Sequence, residues 1–321
     1  MDFIRNFIAW ASETFPPKSK FSVDQIPDLS GRIFIVTGGN SGIGYETVKA
    51  LLQHNGKVYI ASRNKGRVDA AIESLKKDTG NEALFIQLDL ASLASVRRAA
   101  KDFLSKEKEL HVLFNNAGVM NMPLDELTED GYDYQLGANT LGHFYFTELL
   151  MPALFAGKET SPDGHARVIT TSSSGAHFDT LHYETFRDGP KRRKMLSMSL
   201  YSQSKFGNIV VARQVAQRYA DQGILSMSLN PGNLKSDLQK YFSPIAKALT
   251  AILLYDASYG ALTQLWAGLM PDSIQHNGLY LRPWARLGRA RKEAYDPEVG
   301  ERFWNWLQEQ VTKFELENKI V

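Results

Sequence analysis

The chain has 321 residues, 43% hydrophobic and 22% charged, with a formal net charge of +2 from 37 basic and 35 acidic side chains. This is ordinary globular composition, and without a marked basic excess or stripe it excludes a phosphate-tracking nucleic-acid binder. The absence of cysteine excludes disulfides, thiolate nucleophiles and cysteine-ligated zinc or iron–sulfur sites.

The seven histidines are scattered and no H-E-x-x-H helix occurs, so no metal site is expected. No run reaches the roughly 18 apolar residues of a membrane span. The nearest, Ile245 to Tyr255, is short and contains Lys247. Met1 to Trp10 carries Asp2 and Arg5 and lacks a small-residue cleavage site, so it does not read as a secretory signal. A cytoplasmic protein is expected, with peripheral membrane contact left open.

Residues 1 to 30 read as an N-terminal extension. Phe3, Ile4, Phe7, Ile8 and Ala11 recur at helical spacing, and Pro16-Pro17 ends the helix. Packing on the protein's own body is the plainer expectation, and an interfacial membrane helix the sharper one, weakened by few cations on its polar face. From Gly31 onward short apolar runs alternate with helical patterns. Strands are predicted at Ile33 to Thr37, Lys57 to Ala61, Leu84 to Leu88, Val112 to Phe114, Val168 to Thr171, Ile224 to Leu229 and Gly278 to Leu281. Helix faces lie between them, for example Val48, Leu51 and Leu52, or Val96, Ala99, Ala100 and Phe103. Such alternation with strongly apolar strands predicts an α/β fold: a doubly wound, Rossmann-type parallel sheet of about seven strands covered by helices on both faces. No linker divides residues 31 to 321, which read as one domain.

Thr37 to Gly44 reads TGGNSGIG, between the first strand and the first helix of this domain. Gly38, Gly42 and Gly44 suit a tight turn and a close approach to a pyrophosphate, which the N–H groups and dipole of the helix N-terminus attract. Asn40, Ser41 and Ile43 complete the candidate turn. The second strand ends in Ser62-Arg63, where an NAD-binding protein usually places a carboxylate. An arginine can instead grip a 2′-phosphate, so Arg63 favours NADP(H), with Lys65 and Arg67 as added charge. NAD(H) is the alternative.

Tyr201 and Lys205 are four residues apart, on one face of a predicted helix. A free tyrosine titrates near 10. A cation about 5 Å away at an effective dielectric of ~20 favours the phenolate by roughly 3 kcal/mol, which would bring Tyr201 toward working pH as a general acid–base.

Together these segments resemble the short-chain dehydrogenase/reductase superfamily over about residues 30 to 315. TGGNSGIG resembles its cofactor turn and YSQSK its active-site pair. NNAG at Asn115 to Gly118 resembles the motif after strand four, bringing in Asn116, Ala117 and Gly118. Asp89-Leu90 resembles the adenine-contacting pair. NPG at Asn230 to Gly232 resembles the nicotinamide-side segment, with Pro231, Gly232, Leu234 and Ser236 as contacts and Ser236 where a threonine is usual. The resemblance implies a carbonyl-polarising serine at Ser173 (Ser172 and Ser174 stay open), a water-holding Asn139 in ANTLGHF, and a Lys205 that also binds the nicotinamide ribose. It also implies transfer of the pro-S hydride. Within the superfamily, ANTLGHF, GALTQLW and GLYL are similar to the retinol-dehydrogenase-like and WW-domain-oxidoreductase-like subgroup. Ser41 departs from the basic residue of many NADP-using relatives.

The expected activity is therefore hydride transfer between NADP(H) and a lipophilic aldehyde or ketone, or the corresponding alcohol. Two loops are expected over the pocket. One spans Gly175 to Leu200, with His177, Phe178, Tyr183, Phe186, Met195 and Met198. The other follows Pro231, with Leu238, Tyr241, Phe242 and Pro244. His177 and His182 are read as structural or solvated, and Lys191 to Lys194 as a solvated face. A homodimer through Leu136 to Phe155 and Tyr201 to Tyr219 is an option that the N-terminal helix could block. A dinucleotide-binding sensor without turnover and a peripheral membrane enzyme acting on retinoid or other lipid alcohols are the competing readings.

Overall fold

The computed structural model describes residues 9–234 and 254–318. Ser236, the second expected loop from Leu238 to Pro244, nearly all of Ile245 to Tyr255, and the apolar positions Phe3 to Ile8 lie outside the described residues.

Eight strands form one sheet in the order β3-β2-β1-β4-β5-β6-β7-β8. They are β1 (Ile33–Thr37), β2 (Lys57–Ser62), β3 (Leu84–Gln87), β4 (Val112–Asn115), β5 (Ala166–Thr171), β6 (Ile224–Leu229), β7 (Tyr280–Arg282) and β8 (Arg286–Leu287). The first seven pair in parallel and β8 is antiparallel to β7. The β4, β5 and β6 side chains are buried throughout, because helices cover both faces and no strand position can face water. Two apolar clusters result, one on each side of the sheet.

The covering helices are α1 (Gly42–Gln53), α2 (Lys65–Thr79), α3 (Leu93–Lys106), α4 (Gly142–Thr160), α5 (Ser197–Tyr219), α6 (Ala257–Leu269) and α7 (Pro297–Glu317). Their starts follow local chemistry. Asn64, Ser92 and Asp296 accept N–H bonds as caps of α2, α3 and α7, and Pro297 opens α7. Gly80 ends α2 at φ +78°, a conformation glycine adopts without a Cβ penalty.

The seventh strand begins at Tyr280 and not at Gly278. Gly278 is a turn residue at φ +75° whose N–H bonds Ser226 O at 2.8 Å. The eighth strand is two residues long and too short to show a period. The chain order reverses between β1 and β4, which opens a crevice at their carboxyl ends.

Candidate active site

At the end of β1 the chain turns through Gly38 at φ +68° and Gly42 at φ +54° into α1. Glycine is required twice over. Those φ values disfavour a side chain, and a Cβ on Gly44 would collide with the Gly38 carbonyl and lie 2.7 Å from Asn116 Nδ2. The turn is therefore drawn tightly against the end of β4, leaving the first N–H groups of α1 aimed into the crevice. Asn40 Oδ1 accepts from Ser62 Oγ at 2.7 Å, which ties the turn to the end of β2. Arg63 follows on the surface, its Nη1 3.0 Å from Tyr134 OH. Lys65 is engaged with Asp69 at 2.7 Å. Asp89 and Leu90 lie beyond β3, where Asp89 Oδ1 caps the Ala91 N–H at 2.9 Å.

A buried network joins β1 to β4 and to the entry of α4. Thr37 Oγ1 accepts from the Asn116 and Ala117 N–H groups, both at 2.9 Å, and lies 2.9 Å from His143 Nε2. His143 Nδ1 faces the Asn139 carbonyl at 3.0 Å. A carbonyl can only accept, so Nδ1 carries the proton and Thr37 donates to Nε2. Burial lowers the His143 pKa to about 4, which keeps it neutral in this role. Nothing local to ANTLGHF marks its histidine for this role.

Asn139 lies in a π-helical turn, Gly137–Leu141. Its amide makes three hydrogen bonds: Oδ1 accepts from Val119 N at 2.8 Å, and Nδ2 donates to Val119 O at 3.0 Å and Ser204 Oγ at 2.9 Å.

The π turn packs on α5, which carries Tyr201 and Lys205, both buried. The Ser173 hydroxyl acts on the Tyr201 phenol, working to lower its pKa. Of the three adjacent serines, Ser172 donates to Lys205 O at 2.6 Å and Ser173 is the one paired with the phenol. Lys205 Nζ donates to Thr171 O at 3.0 Å and lies 5.9 Å from the Tyr201 ring centroid. Gly118 makes room for it, since a Cβ there would sit 3.1 Å from Nζ.

The expected lowering of the Tyr201 pKa is reversed. Burial raises it, and the Ser173 hydroxyl offsets this only partly. Burial disfavours the charge on both partners: it also lowers Lys205 to about 7.

A cavity of about 350 Å³ connects these groups. Ile43, Asn116, Gly118, Ser173, Tyr201, Lys205 and Pro231 to Leu234 line it. Gly232, at φ +94°, turns the NPG segment beneath Trp284. Trp10, Thr14, Phe178 and Met198 also line the cavity. Trp10 and Thr14 were not anticipated, and nothing in the local sequence signals them.

Among the loop groups, His177 is buried against Glu13, while His182 pairs with Asp179 at 2.7 Å. The expectation of a solvated 191–194 face fails at Arg192. It is buried, with Nε 2.9 Å from Asp133 Oδ2, Nη1 2.7 Å from Leu124 O and Nη2 3.0 Å from Glu126 O. A buried guanidinium needs such partners, and they pin the 175–200 loop to the 124–133 segment.

No cluster of three metal-ligating side chains occurs among the described residues. No described helix is long and apolar enough to cross a membrane.

Comparison with known proteins adds the following. The family model for short chain dehydrogenase matches residues 32–186. Two short-chain dehydrogenase/reductases of Armillaria gallica are 54% and 55% identical, over 96% and 95% of this chain and 99% of each relative. A crystal structure from Mycobacterium paratuberculosis is 26% identical with a TM-score of 0.71, covering 92% of this chain and 98% of that one.

Proposed function

Because the chain belongs to the short-chain dehydrogenase/reductase family, an oxidoreductase family that binds a nicotinamide dinucleotide, we propose that it transfers a hydride between NADP(H) and a lipophilic aldehyde or ketone, or the corresponding alcohol. The observation that carries this reading is the meeting of Ser173, Tyr201 and Lys205 in one cavity at the switch point of the sheet.

The residues present fit a dinucleotide. The cradle at Gly38 and Gly44 is one that a Cβ would fill. The α1 N-terminus suits a pyrophosphate, and Arg63 at the end of β2 suits a 2′-phosphate. Asn116, Ala117, Gly118 and Pro231 to Leu234 would flank the nicotinamide half, and Asp89 and Leu90 the adenine half. Bound there, the nicotinamide supplies or accepts the hydride.

The chain's own groups handle the proton and the oxygen. Ser173 and Tyr201 place two hydroxyls where the negative charge of a reacting carbonyl oxygen develops. Tyr201 holds its proton at Oη, because burial disfavours the phenolate, and so it is set to donate in the direction of reduction. Lys205, with a water held by Asn139, would restore that proton.

The test is initial-rate absorbance at the nicotinamide band, offering NADPH and NADH separately with a panel of lipophilic aldehydes and ketones. NADPH-selective turnover is expected, falling by about 10²-fold or more in Tyr201→Phe. Preference for NADH would overturn the role of Arg63. NADPH binding without turnover in either direction would make the protein a binding module.

A further inference from the structure

We propose that the N-terminal segment is a working wall of the active site, with Trp10 and Thr14 closing the substrate end of the cavity and Glu13 latching them there. The wall selects an uncharged carbonyl compound that carries an aromatic ring. The substrate class rests on the function proposed above; the latch does not.

Residues 9–14 are helical and lie against the cavity, with Trp10 and Thr14 in its lining. Glu13, on the same turn, is 1% exposed. Its Oε1 lies 3.0 Å from His177 Nε2, and its Oε2 accepts from Asn230 Nδ2 at 2.8 Å and Tyr280 OH at 2.9 Å. These three partners come from three segments: the turn after Ser173, the NPG segment and β7. Asn230 Oδ1 in turn accepts from the Gly232 N–H at 3.0 Å. A second tie joins Arg282 Nη1 to Ser12 Oγ at 2.9 Å.

A carboxylate this deeply buried has given up its hydration, and even good partners do little more than replace it. It therefore adds little as glue. What it supplies is position. One side chain fixes the loop behind Ser173, the cofactor-side turn and the N-terminal segment relative to each other. Both its oxygens are engaged, so it presents no free acceptor to a ligand.

The wall it holds in place is apolar. Trp10 meets Phe178 edge to face, with ring centroids 6.1 Å apart, and Met198 and Leu254 extend the surface. Two aromatic rings and a thioether favour a flat apolar ligand over a short aliphatic one. Among the described residues Lys205 is the one charged side chain in the cavity lining, and the aromatic wall offers a charged substrate no partner.

The experiment uses the full chain with the neutral aromatic ketone 6-propionyl-2-(dimethylamino)naphthalene, whose emission reports an apolar site directly. Wild-type protein should bind it in the presence of NADP(H), and Trp10→Ala should weaken that binding about tenfold. If the compound is also turned over, kcat/KM for it relative to acetaldehyde should fall by a similar factor. The latch is read separately by amide hydrogen exchange. Glu13→Ala should speed exchange at residues 174–178 and 230–233 by about tenfold or more, and Glu13→Gln, which keeps an acceptor, by less. Equal probe affinity in wild type and Trp10→Ala, or no probe binding to wild type, would overturn the wall. Unchanged exchange in Glu13→Ala would overturn the latch. Neither readout requires turnover, so a failure of the enzymatic reading would appear on its own, as a protein that binds the probe and reduces nothing.

Discussion

Lys205 is held where a charge is expensive. Burial lowers its pKa to about 7 from 10.5, so between those values the unfolded chain binds a proton that the folded chain does not. Stability then rises with pH through that window, by up to about 1.4 kcal/mol per pH unit for this group, and below about pH 7 the fold carries the cost of the buried ammonium. Lys205→Met removes that cost. The Thr171 carbonyl it leaves still accepts from Asn208 Nδ2 at 3.1 Å, so no new unpaired group is created. The variant should unfold at higher denaturant than wild type at pH 6, the gap closing toward pH 10, while turnover is lost. A constant gap across pH would show that Lys205 titrates normally. Tyr201 pulls the other way: its raised pKa keeps the phenol protonated through neutral pH, so reduction should be flat there and oxidation should climb into the alkaline range, as rate profiles in both directions would show.

At the scale of elements, the tightest constraint is the contact between the β1–α1 turn and β4. Gly44→Ala would push a methyl group into the Gly38 carbonyl and toward Asn116. It should weaken NADPH binding by about tenfold or more and cost about 1–3 kcal/mol of stability, read by fluorescence titration and denaturant unfolding. This part of the molecule was legible in the sequence because its causes are local. A strand buried on both faces is mostly apolar, and a turn that needs positive φ and close backbone approach favours glycine. What was not legible has causes remote in sequence. The π turn that carries Asn139 has no residue signature, and β8 is too short to show one. The side chain of Asn139 is consumed by Val119 and Ser204, which helical spacing cannot reveal. Glu13 is 164, 217 and 267 residues from its three partners, and before folding it is one more acidic residue in a polar stretch. Arg192 looked solvated for the same reason: its acceptors lie on a segment about 60 residues away.

For the whole molecule the open question is association. Dimerisation through 136–155 and 201–219 would require those helices to present free faces, and the N-terminal helix was the anticipated obstacle. The described part of that segment lies instead against the cavity, with Trp10 and Thr14 in its lining. The obstacle is α7. Phe303, Trp304, Leu307, Val311 and Phe314 are buried along it. Trp304 meets Phe144 of α4 edge to face at 4.9 Å between centroids, Phe314 meets Tyr145 at 6.0 Å, and Gly207 of α5 leaves space for the Phe303 ring. Displacing α7 would return five such side chains to water at about 1.5–3 kcal/mol each, more than a symmetric contact between the vacated faces could recover without rebuilding the same apolar surface. The protein should therefore sediment as a monomer across micromolar concentrations. Trp304→Ala, which opens a hole between α4 and α7 and should cost about 3–5 kcal/mol, should lower thermal stability without producing an ordered dimer. A wild-type dimer whose cross-links map to α4 and α5 would mean that α7 leaves its site in solution and that the aromatic contacts along it are not worth their burial.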